Sequence, residues 1–378
     1  MSQPLTPAVN LTPLTSTAQT DAVLVNTTDS TPSSSDNPAP SLHNTQTPPS
    51  PFGNADAGAS VDTSAHSAPT TRTPTADTHS SSSTSPTTAA NELAALTEAA
   101  LSGDATAQYE LGKRYGFGDG VAQNDKEAAN WITNAANQGN PEAQFTLGLL
   151  HVAGLGVIKD EAQAINWYRK AAKQNHADAQ FNLGLMYITG RGVEQNHGQA
   201  VQWLELAAKK GHAEAQFHLG VMYAAGQGVE KNTIKAFEWF TKSAAQGHTE
   251  AQIYLAQMYL EGNGVDQDIP LAIRMFQTLA AQNHTHAYFL LGTVYASGLE
   301  VQQDYVIAAN WFQMAAEQGD SNAQFNLGVM YELGNGVTQD INRAIRWYHL
   351  AAQQGHVEAM GVLRILQSDF ISGKMEGA

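Results

Sequence analysis

A motif that recurs every 36 residues constrains the fold of this chain more strongly than any other feature of its sequence. The six tryptophans share one register of this period, and Met275 holds the remaining position: Trp131, Trp167, Trp203, Trp239, Trp311 and Trp347. A second register holds alanine in every copy from Ala107 to Ala359. A fixed period of this size is typical of a solenoid, in which each unit buries its apolar face only against its neighbours.

Each copy of the motif has the pattern of a helix pair. In the third copy, the spacing of Ala179, Leu183 and Met186 predicts a first helix. Gly184 lies inside that helix, where glycine costs about 1 kcal/mol relative to alanine. Because glycine recurs there in all copies but one, which has Ala256, we expect the second helix to approach closely at this point. A Gly-x-Gly-Val turn then follows at 190–193.

The second helix of each copy has recognisable ends. It begins after a residue type that caps helix N-termini: Asn124, Asp160, Asn196, Asn232, Asp268, Asp304 and Asp340. Its inward stripe in the third copy is Ala200, Trp203, Leu204 and Ala207. It ends at a residue type that tolerates positive φ: Gly139, Asn175, Gly211, Gly247, Asn283, Gly319 and Gly355. Caps, stops and apolar stripes therefore agree on an all-α repeat fold.

The composition divides the chain into two parts. Residues 1–88 are rich in Ser, Thr and Pro and have too little apolar surface to fold, which predicts a disordered tail or, alternatively, a phosphorylated or glycosylated stalk. Residues 89–378 are predicted to form the solenoid, with a half-repeat first and seven full repeats over about 104–355. A capping helix follows over about 356–372, where Arg364 and Gln367 replace the small and aromatic residues of the other copies.

Charge and composition exclude several classes of function. The 378-residue chain has 35 acidic and 19 basic residues, a formal net charge of −16. This balance argues against a nucleic-acid partner and against docking on an anionic membrane, since both need clustered Lys and Arg. The chain has no cysteine, which excludes disulfides, thiolate metal sites and cysteine nucleophiles. No secretory leader or membrane-spanning run is visible, so we expect a cytoplasmic protein, with export by another route left open. We also expect the chain to be a monomer.

The repeat closely resembles the Sel1-like repeat, a relative of the tetratricopeptide repeat. The family pattern runs from Ala-x-Ala-Gln through Leu-Gly-x-Met-Tyr and Gly-x-Gly-Val to Gln-Gly-His. Residues 321–356 match it nearly throughout, with Ser321 in place of the first alanine. The resemblance implies an α/α solenoid wound into a right-handed superhelix, and scaffolding by protein–protein interaction in signalling, secretion-related or host-contact settings. Some bacterial members are cysteine-rich and reported to bind β-lactams, and the absence of cysteine separates this chain from them.

Catalytic and metal-binding patterns are weak in this sequence. The Gly-x-Gly segments follow a helix and lack a Gly-Lys-Ser/Thr ending, so they are predicted to be turns and not phosphate loops. Five histidines share one register, namely His176, His212, His248, His284 and His356. Equivalent atoms of stacked repeats lie roughly 10 Å apart, too far for shared metal ligands, so helix capping or solvent exposure is the preferred interpretation. We therefore predict no catalytic residue, no cofactor and no metal site.

The positions that vary between copies indicate where a partner would bind. Four positions of the first helix, at i, i+4, i+7 and i+11, form a stripe without fixed identity. The candidate groove residues on it are Glu110, Thr146, Asn182, His218, Tyr254, Leu290, Asn326 and Glu261. A variable solvated face without a binding role fits the same pattern.

Charge is uneven along the array. Residues 104–242 have 14 acidic and 13 basic residues, whereas residues 243–356 have 10 acidic residues and three arginines. We therefore expect a cationic protein or peptide partner toward the C-terminal repeats. The predicted function is a non-enzymatic interaction scaffold. The alternatives are a secreted or periplasmic binding module and a hydrolase of the cell-wall or β-lactam type.

Overall fold

The computed structural model describes residues 86–298 and 301–371, apart from the side chains of residues 86–89 and 367–371. These residues form sixteen α-helices and no strand. The chain divides into two compact units, the first ending at His212 and the second beginning at Ala213. The predicted tail lies outside the described residues, apart from residues 86–88. Those three are helical, with Pro86 at the first helical position, where its missing N–H has no cost.

The first unit holds the half-repeat and three full helix pairs. Its helices are α1 (Pro86–Leu101), α2 (Ala105–Phe117), α3 (Asp125–Asn137), α4 (Pro141–Ala153), α5 (Glu161–Lys173), α6 (Ala177–Thr189) and α7 (His197–Ala208). Each helix packs against the next one in the chain. The core consists of small and aliphatic side chains, together with the ring of Tyr168, between the helices of a pair and between neighbouring pairs.

The second unit continues the same order through four pairs and one final helix. Its helices are α8 (Ala213–Ala225), α9 (Thr233–Ala244), α10 (Thr249–Glu261), α11 (Ile269–Ala281), α12 (Thr285–Ser297), α13 (Tyr305–Glu317), α14 (Ser321–Leu333), α15 (Ile341–Gln353) and α16 (Val357–Ile371). Arg364 is exposed on α16, as expected at the end of the array, and the side chain of Gln367 lies outside the described residues. None of the described helices is long and apolar enough to span a bilayer.

The helix ends confirm the predicted caps. All seven predicted Asn and Asp residues are N-caps of second helices, and the side chain of each accepts a backbone N–H of the first turn. The seven predicted stop residues all have positive φ, from 64° at Asn283 to 96° at Gly139. The turn after each second helix therefore requires a residue with positive φ, a conformation that Gly and Asn adopt at low cost.

The glycine inside each first helix allows close packing, as predicted. A Cβ on Gly148 would lie 2.5 Å from the ring of Tyr168, and one on Gly220 would lie 2.7 Å from the ring of Phe240. Gly184 meets Leu204 in the same way at 2.8 Å. The second helix therefore rests against the backbone of the first, which offsets the poor helix propensity of glycine.

The tryptophans differ from the prediction, which assigned them to the inward stripe. All six are half-buried, whereas the residue that follows them is fully buried in most repeats, as at Tyr168, Leu204 and Phe312. Trp131 packs on the apolar cluster that α1 and α2 form, and Trp167 packs on the cluster that α3 and α4 form. An indole is too large for the narrow gap between the helices of a pair, so it covers the junction with the preceding repeat instead.

Candidate partner-binding surface

On most first helices the variable stripe lies on the side opposite the buried core positions. In α2 the stripe is Thr106, Glu110, Lys113 and Phe117, and the buried face of the same helix holds Ala107 and Leu111. We call the equivalent positions of α2, α4, α6, α8, α10, α12 and α14 the first-helix stripe. The buried positions must fit the neighbouring helices and so stay constant, whereas the stripe is free to vary.

Six of the eight candidate groove residues have surface to offer a partner. Glu110, Asn182, His218, Tyr254 and Asn326 are half-buried. Glu261, at the C-terminal end of α10, is exposed. Half-buried polar side chains on rigid helices lose less entropy on binding than fully exposed ones, which suits them to recognition.

Thr146 and Leu290 are corrections to the predicted groove, because both side chains are buried, at 4% and 0% exposure. The Thr146 hydroxyl lies 3.2 Å from the hydroxyl of Tyr109 in the preceding repeat. Leu290 is aliphatic and belongs to the core of the second unit. Periodicity places both on the stripe but does not show which neighbours cover them, and neither side chain has surface to offer a partner.

Several groups of the stripe are held by their own helix. The Nδ2 atoms of Asn182 and Asn326 donate to backbone carbonyls one turn earlier, each at 2.9 Å. These bonds fix the amide orientation and direct the side-chain carbonyl away from that turn. Glu110 pairs with Lys113 at 3.0 Å, so these two stripe charges neutralise each other.

Tyr254 gives the stripe an aromatic group in the second unit. Its ring stacks on Phe240 at a centroid distance of 5.1 Å and meets Phe217 edge-on at 5.7 Å. Burial raises the pKa of the Tyr254 hydroxyl, so the side chain stays neutral at physiological pH. Desolvation also raises the pKa of Glu261, two turns further along the same face of α10.

The histidine register forms the junctions between repeats, and the predicted capping role is confirmed at three positions. Nδ1 accepts the backbone N–H three residues ahead at His176, His248 and His356, over 3.2–3.3 Å. The rings of these residues stack on a phenylalanine of the preceding first helix, with centroids 4.6–4.7 Å apart. His284 is the exception, since it makes no side-chain capping bond.

An acidic residue of the preceding first helix completes two of these junctions. Nε2 of His212 lies 3.2 Å from Asp178, and Nε2 of His248 lies 3.0 Å from Glu214. Nδ1 must be unprotonated to accept a capping N–H, as it does at His176 and His356. Burial accordingly lowers the pKa of His176 and of His356, and nearby carboxylates oppose that shift in part.

A ladder of glutamines along the junctions was not predicted. The buried Gln144 donates from Nε2 to the carbonyl of Ala136 at 3.1 Å, and its Oε1 accepts from Nε2 of Gln174, at the C-terminal end of α5, at 2.9 Å. The same two-part arrangement recurs at Gln108 and at Gln324. The signal was the glutamine of the Ala-x-Ala-Gln segment, which recurs in every full copy except the sixth, where Tyr288 replaces it, because a long polar side chain at a buried position needs partners.

Nothing in the described ranges groups three or more potential metal-binding side chains. Four histidines of the shared register are engaged at their own junctions with caps, rings or carboxylates, namely His176, His212, His248 and His356. The arrangement is therefore structural at these positions. The chemistry that the first-helix stripe offers is hydrogen bonding, aromatic contact and negative charge.

Comparison with known proteins identifies the repeat. The family model of the Sel1 repeat matches seven consecutive segments, at 105–140, 141–176, 177–212, 213–248, 249–284, 285–320 and 321–356. No significant match was found among curated proteins.

Two solved structures are similar in both sequence and fold. A protective antigen of uropathogenic Escherichia coli strains that displays an SLR fold is 37% identical, with a TM-score of 0.63, over 71% of this chain and 57% of the antigen. This chain therefore matches little more than half of that protein. A Sel1 repeat protein from Oxalobacter formigenes is 34% identical, with a TM-score of 0.59, over 76% of this chain and 83% of that protein.

Proposed function

Because the chain belongs to the Sel1 repeat family, whose members generally act in protein–protein interaction, we propose that it is a non-enzymatic scaffold that binds a protein or peptide on its first-helix stripe. Within each unit the repeats supply a rigid frame, and the stripe supplies the residues that differ from copy to copy. The family is mostly non-enzymatic, which supports this assignment.

The observation that carries the proposal is the contrast between constant and variable positions on the same helices. Buried positions such as Ala179 and Leu183 repeat in every copy, whereas Asn182, beside them, has a different identity in most copies. A face with no role would be expected to carry mainly long charged residues. Here its second position carries amide, imidazole and phenol groups at Asn182, His218 and Tyr254, and tyrosine is a residue type enriched at recognition surfaces.

The experiment that tests the proposal is affinity capture with the full chain and with one multiple variant. Asn182, His218, Tyr254 and Asn326 are replaced by alanine together, and captured proteins are compared by quantitative mass spectrometry. We expect loss of the specific partners, because each substitution removes a half-buried polar or aromatic contact on the stripe.

A matched control carries alanine at exposed positions of second helices, Gln202, Glu238 and Asn310. Both variants must keep the circular dichroism spectrum and the melting temperature of the parent to within a few degrees. Partners retained by a folded stripe variant, or lost equally from the control, would reject the first-helix stripe as the binding surface.

A further inference from the structure

The fifth repeat lacks the tryptophan that every other full repeat has in its second helix. Met275 of α11 occupies that position. The junction that this side chain should cover lies between α9, α10 and α11, all within the second unit. The consequence can be measured by comparing the same junction in the other repeats.

Elsewhere the indole seals an alanine of the preceding second helix. Where a tryptophan follows within the same unit, the equivalent alanine has an exposure of 0–5%: Ala100, Ala136, Ala172, Ala280 and Ala316. Ala244, which precedes Met275, is half-buried. Ala352 is also half-buried, and no further second helix follows it among the described residues. Loss of the indole therefore has the same effect on this alanine as the end of the array.

The uncovered junction is an open pocket of about 410 Å³. Ala244, Leu255 and Leu279 form its apolar part. Leu255 has an exposure of 8%, whereas the equivalent leucines of other junctions, such as Leu183 and Leu327, are at 0%. The methionine side chain is flexible and narrower than an indole, so it does not fill the space that the repeat geometry leaves there.

Two glutamines at the pocket have lost the pairing seen in other junctions. Gln252 and Gln282 both line it. Their counterparts are joined side chain to side chain at 2.7–2.9 Å, as in Gln138–Gln108, Gln174–Gln144 and Gln246–Gln216. No such bond joins Gln252 to Gln282, although the structure describes both, and Gln252 reaches the Ala244 carbonyl only at 3.3 Å. The pocket therefore offers amide oxygens to a donor.

We propose that this pocket, opened by Met275 and lined by Ala244, Leu255, Gln252 and Gln282, binds the tryptophan side chain of a partner protein. A flat apolar ring fits over Ala244 as the chain's own indoles do at sister junctions, and a glutamine oxygen accepts the indole N–H. This inference rests on the proposed scaffold function, because that function supplies the partner protein that carries the tryptophan. The pocket itself can be tested without the partner.

The test uses N-acetyl-tryptophanamide as a probe and methionine methyl signals as the readout. The full chain contains nine methionines, so a ¹³C-methyl-methionine spectrum is simple, and Met275→Leu assigns the relevant signal. We expect saturable shifts of the Met275 signal with a dissociation constant of about 1 mM, as suits a fragment of this size. N-acetyl-leucinamide should bind at least about fivefold more weakly, because it lacks the ring and the N–H donor.

Two matched variants test the pocket, one that fills it and one that opens an equivalent pocket at another junction. Met275→Trp should weaken probe binding at least about tenfold and raise the melting temperature, since the missing indole is restored. Trp347→Met, in the same unit, should open an equivalent site over Ala316, and its additional methionine signal should respond to the probe. No shift of the Met275 signal up to about 10 mM probe, or equal binding by Met275→Trp, overturns the proposal.

The partner experiment separates this inference from the proposed function. The four-residue stripe variant should lose its partners and keep full affinity for N-acetyl-tryptophanamide. Met275→Trp should release at least about tenfold more of the captured partner than the parent does, because one anchoring residue is excluded. Probe binding combined with unchanged capture by Met275→Trp contradicts the tryptophan-bearing partner and leaves the scaffold function standing.

Discussion

His176 shows how much of the array depends on single side chains at the junctions. Its Nδ1 caps α6, and its ring stacks on Phe145 of the preceding repeat. Glu142, Asp178 and Lys210 are the charged groups that act on it. The cap and the stack are made by the neutral ring, and burial lowers the pKa of His176 below its usual value, although Asp178 and Glu142 oppose that shift in part.

Stability should therefore decrease in mildly acidic solution. A histidine whose pKa is lowered in the fold binds its proton more readily in the unfolded chain, so its contribution is complete above the unfolded pKa of about 6.5 and is lost as pH falls through the lower folded value. His356 has the same direction of shift and adds to the effect. We expect the melting temperature, followed by circular dichroism, to be flat from pH 8 to 7 and to fall below about pH 6.5.

The matched variant is His176→Asn, because Asn140 caps the equivalent helix α4 at 2.8 Å without a titrating group. This variant should keep most of the stability at pH 8 and show a smaller decrease at pH 5.5. His176→Ala should lose about 1 kcal/mol or more at pH 8, since the cap and the stack are removed, and less at pH 5.5, where the parent has already lost part of that contribution. Equal pH dependence of the parent and His176→Asn would show that His176 is not the titrating group.

The turn between the two helices of a pair also packs against the preceding repeat. The second glycine of that turn lies against the backbone of the preceding second helix. A Cβ on Gly156 would lie 2.0 Å from the carbonyl oxygen of Asp125, and one on Gly336 would lie 2.1 Å from that of Tyr305. The Gly-x-Gly segment is therefore a turn, as predicted, and also a contact between repeats, which its local pattern does not reveal.

Gly156→Ala should destabilise the first unit by about 2–4 kcal/mol, because the new methyl group adds a backbone clash to the strain of positive φ. Gly139→Asn is the control, since Gly139 has open space around its Cβ position and Asn175 occupies the equivalent place in the next repeat. The control should change stability by less than about 1 kcal/mol in urea denaturation. Similar losses from both substitutions would contradict the interlocking role of Gly156.

At the scale of the whole chain, the sequence predicts the features that depend on the local chemistry of a residue. It does not predict the burial of a side chain that is covered by residues distant in sequence. Helix ends such as Asn196 and Asn175 were predictable because capping and positive φ are properties of the residue itself. The burial of Thr146 depends on Tyr109, which lies 37 positions earlier. The Met275 substitution is visible in the sequence, but the pocket appears only once Trp131 and Trp167 are seen to cover the preceding repeat.

The uneven charge of the array leads to a prediction about association with the partner. Residues 243–356 carry a net charge of −7, whereas residues 104–242 carry −1. A cationic partner should associate faster at low ionic strength, and the rate should fall as salt rises, because the long-range attraction is screened over about 8–10 Å. Neutralising the exposed Glu261, Asp266 and Glu317 should lower the association rate several-fold at low salt and flatten its salt dependence, as measured by surface plasmon resonance. Neutralising Glu194, Glu230 and Glu238 is the charge-matched control, and an equal effect from that variant, or no salt dependence in the parent, would rule out steering by the C-terminal repeats.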